Sequence, residues 1–290
     1  MTFQDLWHRL TPVYDDGEAK AIVRLVLESR FGLSMSDIYV GKVNELSPND
    51  NKELAKIMLR LEKAEPVQYV LGTADFHGYT YKVEQGVLIP RPETAELADW
   101  VVADLHATAA VGSAQEAPLP SVLDVGTGSG CIAITLALLL KRCIVTAWDI
   151  APAALRLARE NAQQHGVAVE VVEQDIFTAP ADRNRWDVIV SNPPYIARRE
   201  QQAMSHNVLD YEPEVALFVP DDDPLKFYRA IATYAAQSLK RGGRLFFEIN
   251  PVYAEEMCDL LARAGFTDIE IRNDQFGRQR MMRGACGGCR

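Results

Sequence analysis

Apolar residues at two different spacings divide the chain into a helical beginning and a longer alternation of strands and helices. Within the first 74 residues, apolar positions recur at intervals of three and four, as at Leu54, Ile57 and Leu61, which predicts amphipathic helices with one buried face. Ser47-Pro48 is typical of a helix start, and Gly32 is typical of a helix end. Residues 1–74 are therefore predicted to form a small all-helical domain.

A period of two replaces the helical spacing from residue 76 onward. Aromatic and β-branched residues alternate with polar ones as far as Val83, and Gln85-Gly86 is typical of a turn. Residues 87–89 follow as a second apolar run. This pattern predicts a β-hairpin over residues 75–92 that connects the helical domain to the rest of the chain.

Strands and helices alternate through the remainder of the chain, residues 93–284. Pro92 and acidic Glu93 are typical of a helix start, and residues 107–120, rich in Ala, Gly, Ser and Pro, are predicted to form a loop. Such alternation predicts an α/β domain with a mostly parallel, doubly wound sheet, whose ligands bind at the carboxyl ends of its strands. The predicted strands are residues 121–125, 144–148, 169–172, 187–190, 243–249, 269–271 and 279–282.

The charge balance of the chain indicates which kind of partner it binds. A formal net charge of -10 and a pI near 5.1 disfavour a phosphate-rich nucleic acid and suit a basic protein partner. No apolar run reaches the roughly 18 to 20 residues that a membrane-spanning helix needs. Asp5 and His8 stand where a signal peptide would be basic and then apolar, so a cytoplasmic location is expected.

The five cysteines are scattered along the chain, which suits a reducing compartment better than a disulfide framework. Among them, Cys286 and Cys289 alone have the spacing of a metal-binding pair. A structural zinc site needs about four ligands, and no second pair lies nearby, so no metal is assigned. Residues 285–290 are instead predicted to be a solvated, disordered tail.

A glycine-rich turn joins the strand at residues 121–125 to the apolar helix that follows it. Glycines let the backbone turn sharply and approach a ligand, and the helix N-terminus offers unpaired N–H groups. A dinucleotide fingerprint would place its third glycine one position later, where Cys131 stands, so the pattern is not that of an NAD site. The residues of the turn are Gly126, Thr127, Gly128, Ser129 and Gly130.

Two aspartates end the next two strands. Asp149 lies about 20 residues after Gly128, where an acidic side chain binds the two hydroxyls of a ribose, although a helix cap before Pro152 explains it equally well. Asp175, followed by apolar Ile176, offers a carboxylate and an apolar surface to the edge and face of an adenine. Three such strand ends in succession resemble the class I methyltransferase (Rossmann-like) fold, which implies S-adenosylmethionine as the cofactor.

The fourth strand runs directly into Asn192, Pro193, Pro194 and Tyr195. An isolated Asn-Pro is usually a turn, but two prolines fix φ and remove N–H donors at the carboxyl end of a strand. The Asn192 side-chain oxygen and the Pro193 carbonyl can each accept one hydrogen of a substrate NH2 group, which directs the nitrogen lone pair at a methyl donor. Tyr195 offers an aromatic face to a flat amide or base.

With these motifs the chain resembles the HemK/PrmC family of glutamine N5-methyltransferases. The matching segments are residues 66–69, 88–94, 124–133 and 190–196. The resemblance implies methyl transfer to the glutamine of the Gly-Gly-Gln motif in peptide chain release factors. It also implies that the helical domain docks the release factor, with a simple stabilising cap as the alternative.

The resemblance also implies residue roles. Residues 126–130 and Asp149 bind the cofactor, Asp175 and Ile176 flank its adenine, and residues 192–195 hold the glutamine amide, with Asn192 also touching the cofactor. Arg91 and Glu93 lie in a family motif near the site, and a helix start explains them equally well. The chain departs from the family after Glu248, where Asn250-Pro251 replaces the usual glycine.

Three other functions fit parts of the sequence. The Asn-Pro-Pro-Tyr motif is shared with adenine-N6 and RNA methyltransferases, which the acidic balance disfavours. A sister enzyme methylates a glutamine of a ribosomal protein and differs at the segment of residues 90–94. A non-enzymatic binder of the cofactor or of the release factor would not need an acceptor pair directed at an NH2 group.

Overall fold

Two compact units divide the chain in a computed structural model that describes residues 1–109 and 118–287. The first unit comprises residues 1–73, 83–85 and 204–211, and the second comprises the described residues of 74–82, 86–203 and 212–290. No helix in these described ranges combines the length and apolar character needed to cross a bilayer.

The first unit is helical, as predicted. Ser47 is the N-cap of its fourth helix and Gly32, with φ at 65°, is the C-cap of its second, so both predicted helix boundaries are confirmed. Fully buried Leu27, Leu54 and Leu61 lie in its apolar core. Its helices are α1 (Phe3–His8), α2 (Asp16–Phe31), α3 (Met35–Tyr39), α4 (Pro48–Leu61) and α5 (Val67–Leu71), to which the later helix at His206–Tyr211 adds.

A short β-hairpin follows α5, but its turn and its second strand lie earlier in the chain than predicted. Strands β1 (Thr73–Phe76) and β2 (Tyr79–Lys82) pair across a turn in which His77 and Gly78 both have positive φ. The turn at residues 85–86 is present, whereas residues 87–89 are not a strand. The prediction of a second hairpin strand there was wrong, because Val87 and Ile89 are buried without strand pairing.

The second unit is built on a seven-stranded sheet, which confirms the predicted α/β fold. The strand order is β10-β11-β9-β6-β3-β4-β5, and β11 is antiparallel to both neighbours while the remaining pairs are parallel. Every strand predicted within residues 93–284 is present. The strands are β3 (Ser121–Val125), β4 (Ile144–Asp149), β5 (Val169–Glu173), β6 (Trp186–Ser191), β9 (Leu239–Glu248), β10 (Phe266–Asn273) and β11 (Gln279–Cys286), and β7 (Ile196–Ala197) pairs separately with β8 (Phe218–Val219).

Helices cover both faces of this sheet because its central strands are apolar on both sides. Val188 and Val190 of β6 join one core cluster with α6 and α7, and Ile189 between them joins another with α11 and α12. The helices of the second unit are α6 (Pro92–Ala109), α7 (Cys131–Leu140), α8 (Pro152–His165), α10 (Glu214–Leu217), α11 (Lys226–Ser238) and α12 (Ala254–Arg263); α9 (His206–Tyr211) belongs to the first unit.

Two predicted boundaries differ from the structure. Helix α6 continues to Ala109, so residues 107–109 of the predicted loop at residues 107–120 are helical, and residues 110–117 lie outside the described residues. The predicted disordered tail was wrong for Ala285 and Cys286, because β11 extends through both and pairs with β10. Residues 288–290, including Cys289 of the Cys-Gly-Gly-Cys pair, lie outside the described residues.

Candidate active site

A cavity of about 250 Å³ lies where the carboxyl ends of β3, β4, β5 and β6 meet. The chain passes from β3 to β4 and β5 on one side and returns to β6 on the other, so the cavity is at the reversal of strand order where doubly wound sheets bind ligands. Ten of its lining residues were proposed from the sequence: Gly126, Thr127, Gly128, Ser129, Asp149, Asp175, Ile176, Asn192, Pro193 and Pro194.

The glycine loop forms the wall that follows β3. Gly126 and Gly128 have φ values of 75° and 56°, and nothing lies within 4 Å of where a Cβ on Gly126 would be. Gly130 is not among the residues that line the cavity. A Cβ there would come within 2.8 Å of Ile134 Cδ1 and 3.2 Å of Ala158 Cβ, so this glycine lets α7 pack closely on α8.

Asp149 is held rigidly at the end of β4. Its Oδ2 accepts a hydrogen bond from the Gly128 N–H at 2.9 Å, and its Oδ1 accepts from the N–H groups of Ile150 and Ala151 at 2.8 and 2.9 Å. The N-cap of α8 is Ala151, which has no side-chain cap bond, so the helix-cap interpretation of Asp149 was wrong. A carboxylate has about four acceptor positions, which leaves capacity for a ligand hydroxyl.

Asp175 and Ile176 line the cavity after β5. The Asp175 carboxylate accepts a hydrogen bond from the Phe177 N–H at 2.9 Å and caps a short 3₁₀ helix at Ile176–Thr178. Phe177, which follows Ile176 in the chain and is 45% exposed, also lines the cavity. The structure therefore places a carboxylate beside two apolar side chains on this wall.

Asp124 is a buried carboxyl group for which no role was predicted from the sequence. It lies in β3, and its Oδ2 accepts hydrogen bonds from the Thr127 hydroxyl at 2.6 Å and the Ala133 N–H at 3.2 Å, which ties the glycine loop to α7. Its Oδ1 is buried and has no hydrogen-bond partner among the described residues. Burial raises the pKa of Asp124 to about 7, although the bonds from Thr127 and Ala133 oppose that rise.

Asn192 is oriented by a residue from a distant part of the chain. It lines the cavity after β6, and its Nδ2 donates to the Thr94 Oγ1 at 3.2 Å. Thr94, in the first turn of α6, in turn donates to Glu248 Oε2 at 2.5 Å. With Nδ2 bound to Thr94, Oδ1 is the amide atom of Asn192 that remains for a ligand.

Tyr195 occupies a different place from the one expected. It is not among the residues that line the cavity, and its partly buried ring packs against the core cluster that includes α11 and α12. Its hydroxyl donates to Glu248 Oε1 at 2.9 Å. Burial, reinforced by the nearby Glu248 carboxylate, raises the pKa of Tyr195 well above its ordinary value. This geometry favours a supporting contact to Glu248 over the predicted stacking surface.

An ion pair also lies at the cavity. Arg91 lines the cavity and contacts the carboxylate of Glu212, whose side chain is 1% exposed and also accepts from the Ile89 N–H at 3.1 Å. Glu93 does not line the cavity and lies in the first turn of α6, as its helix-start interpretation predicts. Glu212 was missed because neighbouring residues in the sequence give no sign of its partner 121 positions away.

The chain matches two protein-family models and many named relatives. A model described as Methyltransferase small domain matches residues 107–214, and one described as PrmC N-terminal domain matches residues 7–72. A relative from Bacteroides thetaiotaomicron, named release factor glutamine methyltransferase, is 43% identical over 275 residues, which cover 94% of this chain and 95% of the relative. A relative of the same name from Flavobacterium psychrophilum is 35% identical over 274 residues, 94% of each chain.

A solved structure supports the fold independently. The hMettl16 catalytic domain, in complex with MAT2A 3′UTR hairpin 6, aligns with a TM-score of 0.55 and 17% identity, covering 81% of this chain and 80% of that one. At this identity the likeness shows a shared fold. Together with extensive identity to the named relatives, the comparisons establish that the chain belongs to the family of release factor glutamine methyltransferases, S-adenosylmethionine-dependent enzymes of the class I methyltransferase fold.

Proposed function

We propose that this protein transfers a methyl group from S-adenosylmethionine to the side-chain amide nitrogen (N5) of the glutamine in the Gly-Gly-Gln motif of peptide chain release factors. The observation that carries the proposal is the orientation of Asn192, whose Nδ2 is bound to Thr94 while Oδ1 remains for a ligand in the cavity. The names of the relatives support the choice of a release factor as substrate.

The residues of the cavity fit S-adenosylmethionine. The glycine loop allows close approach of a ligand to the backbone, and the Asp149 carboxylate, fixed by three N–H groups, keeps acceptor positions for ribose hydroxyls. Asp175 and Ile176 offer a carboxylate and an apolar contact to an adenine. When bound, S-adenosylmethionine supplies an electrophilic methyl group on a sulfonium.

An amide nitrogen is a poor nucleophile because its lone pair is delocalised into the carbonyl. The Asn192 Oδ1 and the Pro193 carbonyl each accept one N–H of the substrate amide, which fixes the nitrogen for in-line attack. The same two acceptors stabilise the positive charge that grows on the nitrogen as the new bond forms. The proton can leave after transfer, when the nitrogen is far more acidic, so no base is required beforehand.

The helical unit is proposed to dock the release factor. Residues 7–72 match the PrmC N-terminal domain model, and the unit has its own buried core, so it is built as an independent module. A stabilising cap is the alternative role. A substrate that belongs to the translation machinery also fits the cytoplasmic location that the scattered cysteines suggest.

The proposal is tested by incubating the protein with methyl-labelled S-adenosylmethionine and, in parallel, unmethylated release factors, ribosomal proteins and DNA. Peptide mass spectrometry then locates the label. We expect it on the Gly-Gly-Gln glutamine. Label on another glutamine or on adenine would retain the chemistry at Asn192 and overturn the substrate, whereas no label on any substrate would favour a binding protein.

A further inference from the structure

We propose that Thr94 and Glu248 are positioning residues that hold the Asn192 amide with its oxygen toward the substrate and thereby make the site select an NH2 group over a carboxylate. This inference rests on the proposed function, since it concerns the same acceptor pair. Neither residue is proposed to touch the reacting atoms. Their action is to decide which end of the Asn192 amide faces the cavity.

Glu248 fixes the direction of the hydrogen bonds. It ends β9, is 2% exposed, and accepts from the Thr94 hydroxyl at 2.5 Å and from the Tyr195 hydroxyl at 2.9 Å. An ionised carboxylate can only accept, so both hydroxyl protons point toward it. A threonine hydroxyl has a single proton, and the Thr94 proton is therefore committed to Glu248.

The orientation of Asn192 follows from that commitment. Because the Thr94 hydroxyl donates its single proton to Glu248, its oxygen can only accept a hydrogen bond from Asn192. Asn192 Nδ2 donates this bond at 3.2 Å. Rotating the amide by half a turn would place Oδ1 against the lone pairs of the Thr94 oxygen, an acceptor facing an acceptor. The arrangement of Glu248, Thr94 and Asn192 thus has one favourable direction, and it leaves Oδ1 for the substrate.

The pKa of Glu248 is raised, because burial disfavours its ionised form more strongly than its hydrogen-bond donors and a nearby arginine favour it. The donors are Thr94 and Tyr195, and the arginine is Arg280 on β11. Arg280 has a 16% exposed side chain, and it also lies 3.6 Å from Asp274. Other ionisable groups nearby are Glu93 on α6, which adds to the rise, and Cys131 on α7. Tyr228 on α11 donates from its hydroxyl to the Glu248 backbone carbonyl at 2.9 Å.

The direction of the amide determines what the site accepts. With Oδ1 presented, Asn192 and the Pro193 carbonyl are two acceptors, which complement the two N–H donors of a glutamine side chain and repel the oxygens of glutamate. With Nδ2 presented instead, the same position would donate, and it would favour a carboxylate or turn the substrate amide away from the methyl donor. A site built around specific hydrogen bonds discriminates strongly because a mismatched group leaves buried partners unpaired.

The experiment compares Thr94→Val with Thr94→Ser in the full-length protein. Valine has nearly the shape of threonine without its hydroxyl, whereas serine keeps the hydroxyl and loses only a methyl group. We expect Thr94→Val to lower kcat for the Gly-Gly-Gln glutamine by about tenfold, the effect of one lost orienting hydrogen bond. The Kd for S-adenosylmethionine should be unchanged in both variants, and Thr94→Ser should restore most of the lost kcat.

The pH dependence of kcat distinguishes a positioning role of Glu248 from a merely structural one. Protonated Glu248 can donate to Thr94, which frees the Thr94 proton to donate to Asn192 Oδ1 and inverts the amide. We therefore expect kcat of the wild-type protein to fall on the acid side, and Glu248→Gln, which carries donors at every pH, to remove that acid limb and to be slow throughout. An acid limb that persists unchanged in Glu248→Gln would overturn the proposal.

A substrate-free measurement separates this inference from the proposed function. The Asn192 side-chain NH2 signal in a ¹⁵N-resolved NMR spectrum, assigned by its loss in Asn192→Ala, should move in Thr94→Val and stay in place in Thr94→Ser. An unmoved signal together with an unchanged kcat in Thr94→Val overturns the positioning role. If the wild-type protein methylates no Gly-Gly-Gln glutamine, the proposed function fails, and the NMR signal alone decides whether Thr94 orients Asn192.

Discussion

Asp124 is a carboxyl group whose burial in the core opposes its ionisation. Its carboxyl group is fully buried in β3, and one of its oxygens accepts hydrogen bonds from Thr127 and Ala133. The other oxygen has no hydrogen-bond partner in the part of the chain that the structure describes. Burial raises its pKa from 3.8 to about 7. The folded protein therefore holds this proton over a range of pH in which the unfolded chain releases it.

The sign of the stability effect follows from that difference. Below about pH 4 the group is protonated in both states and adds no pH-dependent term, whereas between about pH 4 and 7 it increasingly favours the unfolded chain. The full effect is about 4 kcal/mol near pH 7, at about 1.4 kcal/mol per pKa unit. Asp124→Asn has nearly the same shape and no proton to lose, so the pH-dependent term disappears.

We predict that Asp124→Asn gains stability relative to the wild-type protein as the pH rises from 4.5 to 7. Urea unfolding of both proteins across this range measures the difference in free energy of unfolding. Parallel pH dependences of the two proteins would contradict a buried Asp124 with a raised pKa.

Among the structural elements, the junction of α7 and α8 depends on Gly130. Its φ is 83°, and a Cβ at this position would meet Ile134 and Ala158 at 2.8 and 3.2 Å. Gly166, the C-cap of α8, has a φ of 65° and open space within 4 Å, so it is a matched control. The two glycines share the backbone strain of a positive φ and differ in crowding.

We predict that Gly130→Ala is less stable than Gly166→Ala by about 1 to 3 kcal/mol, the usual range for overpacking a closed interface. Gly166→Ala itself should cost about 1 kcal/mol, because it carries only the strain of a left-handed backbone. Denaturant unfolding of both variants measures the two changes. Equal losses would mean that the contact between α7 and α8 adapts without cost.

At the scale of the elements, the sequence predicted the sheet well because central strands buried on both faces contain short apolar runs, such as Val122-Leu123 and residues 188–190. The hairpin was misplaced because apolar Val87 and Ile89 are buried without pairing as strands, while the true turn at His77-Gly78 has little local signal beyond its glycine. An apolar run alone does not distinguish a strand that pairs in a sheet from a segment that is buried without strand pairing.

Part of the candidate site was predictable from the sequence, and part of it was not. Residues at the ends of β3, β4, β5 and β6 were predictable, since parallel strands bring their carboxyl ends to one edge of the sheet. Thr94 lies in a segment that matches the family, and Glu248 precedes the position at which the sequence departs from the family, but neither pattern indicates a role for the residue. Their contact joins residues 154 positions apart, and no local pattern encodes such a pairing.

At the scale of the whole molecule, the chain consists of a helical unit and a methyl-transfer unit, each with its own core. If the helical unit docks the release factor, it adds binding energy that a short peptide containing Gly-Gly-Gln cannot use. Binding energy that is the same in the ground state and the transition state lowers KM without raising kcat.

We therefore predict that a short Gly-Gly-Gln peptide has a KM at least about tenfold higher than that of the intact release factor, with a kcat of similar size. Steady-state kinetics with both substrates under identical conditions make the comparison. Equal KM values would favour a stabilising role for the helical unit. A peptide with normal KM and strongly reduced kcat would instead mean that remote contacts contribute to the chemical step.

The central claim is that Asn192 accepts a hydrogen of the substrate amide during methyl transfer, and the most direct test is a single-turnover comparison of the wild-type protein with Asn192→Ala. We predict that the variant still binds S-adenosylmethionine, since the glycine loop, Asp149 and Asp175 remain. Its rate of transfer to the Gly-Gly-Gln glutamine should fall by about 100-fold or more, the usual effect of removing one preorganised contact at a developing charge. A variant that transfers methyl groups at the wild-type rate would contradict the account.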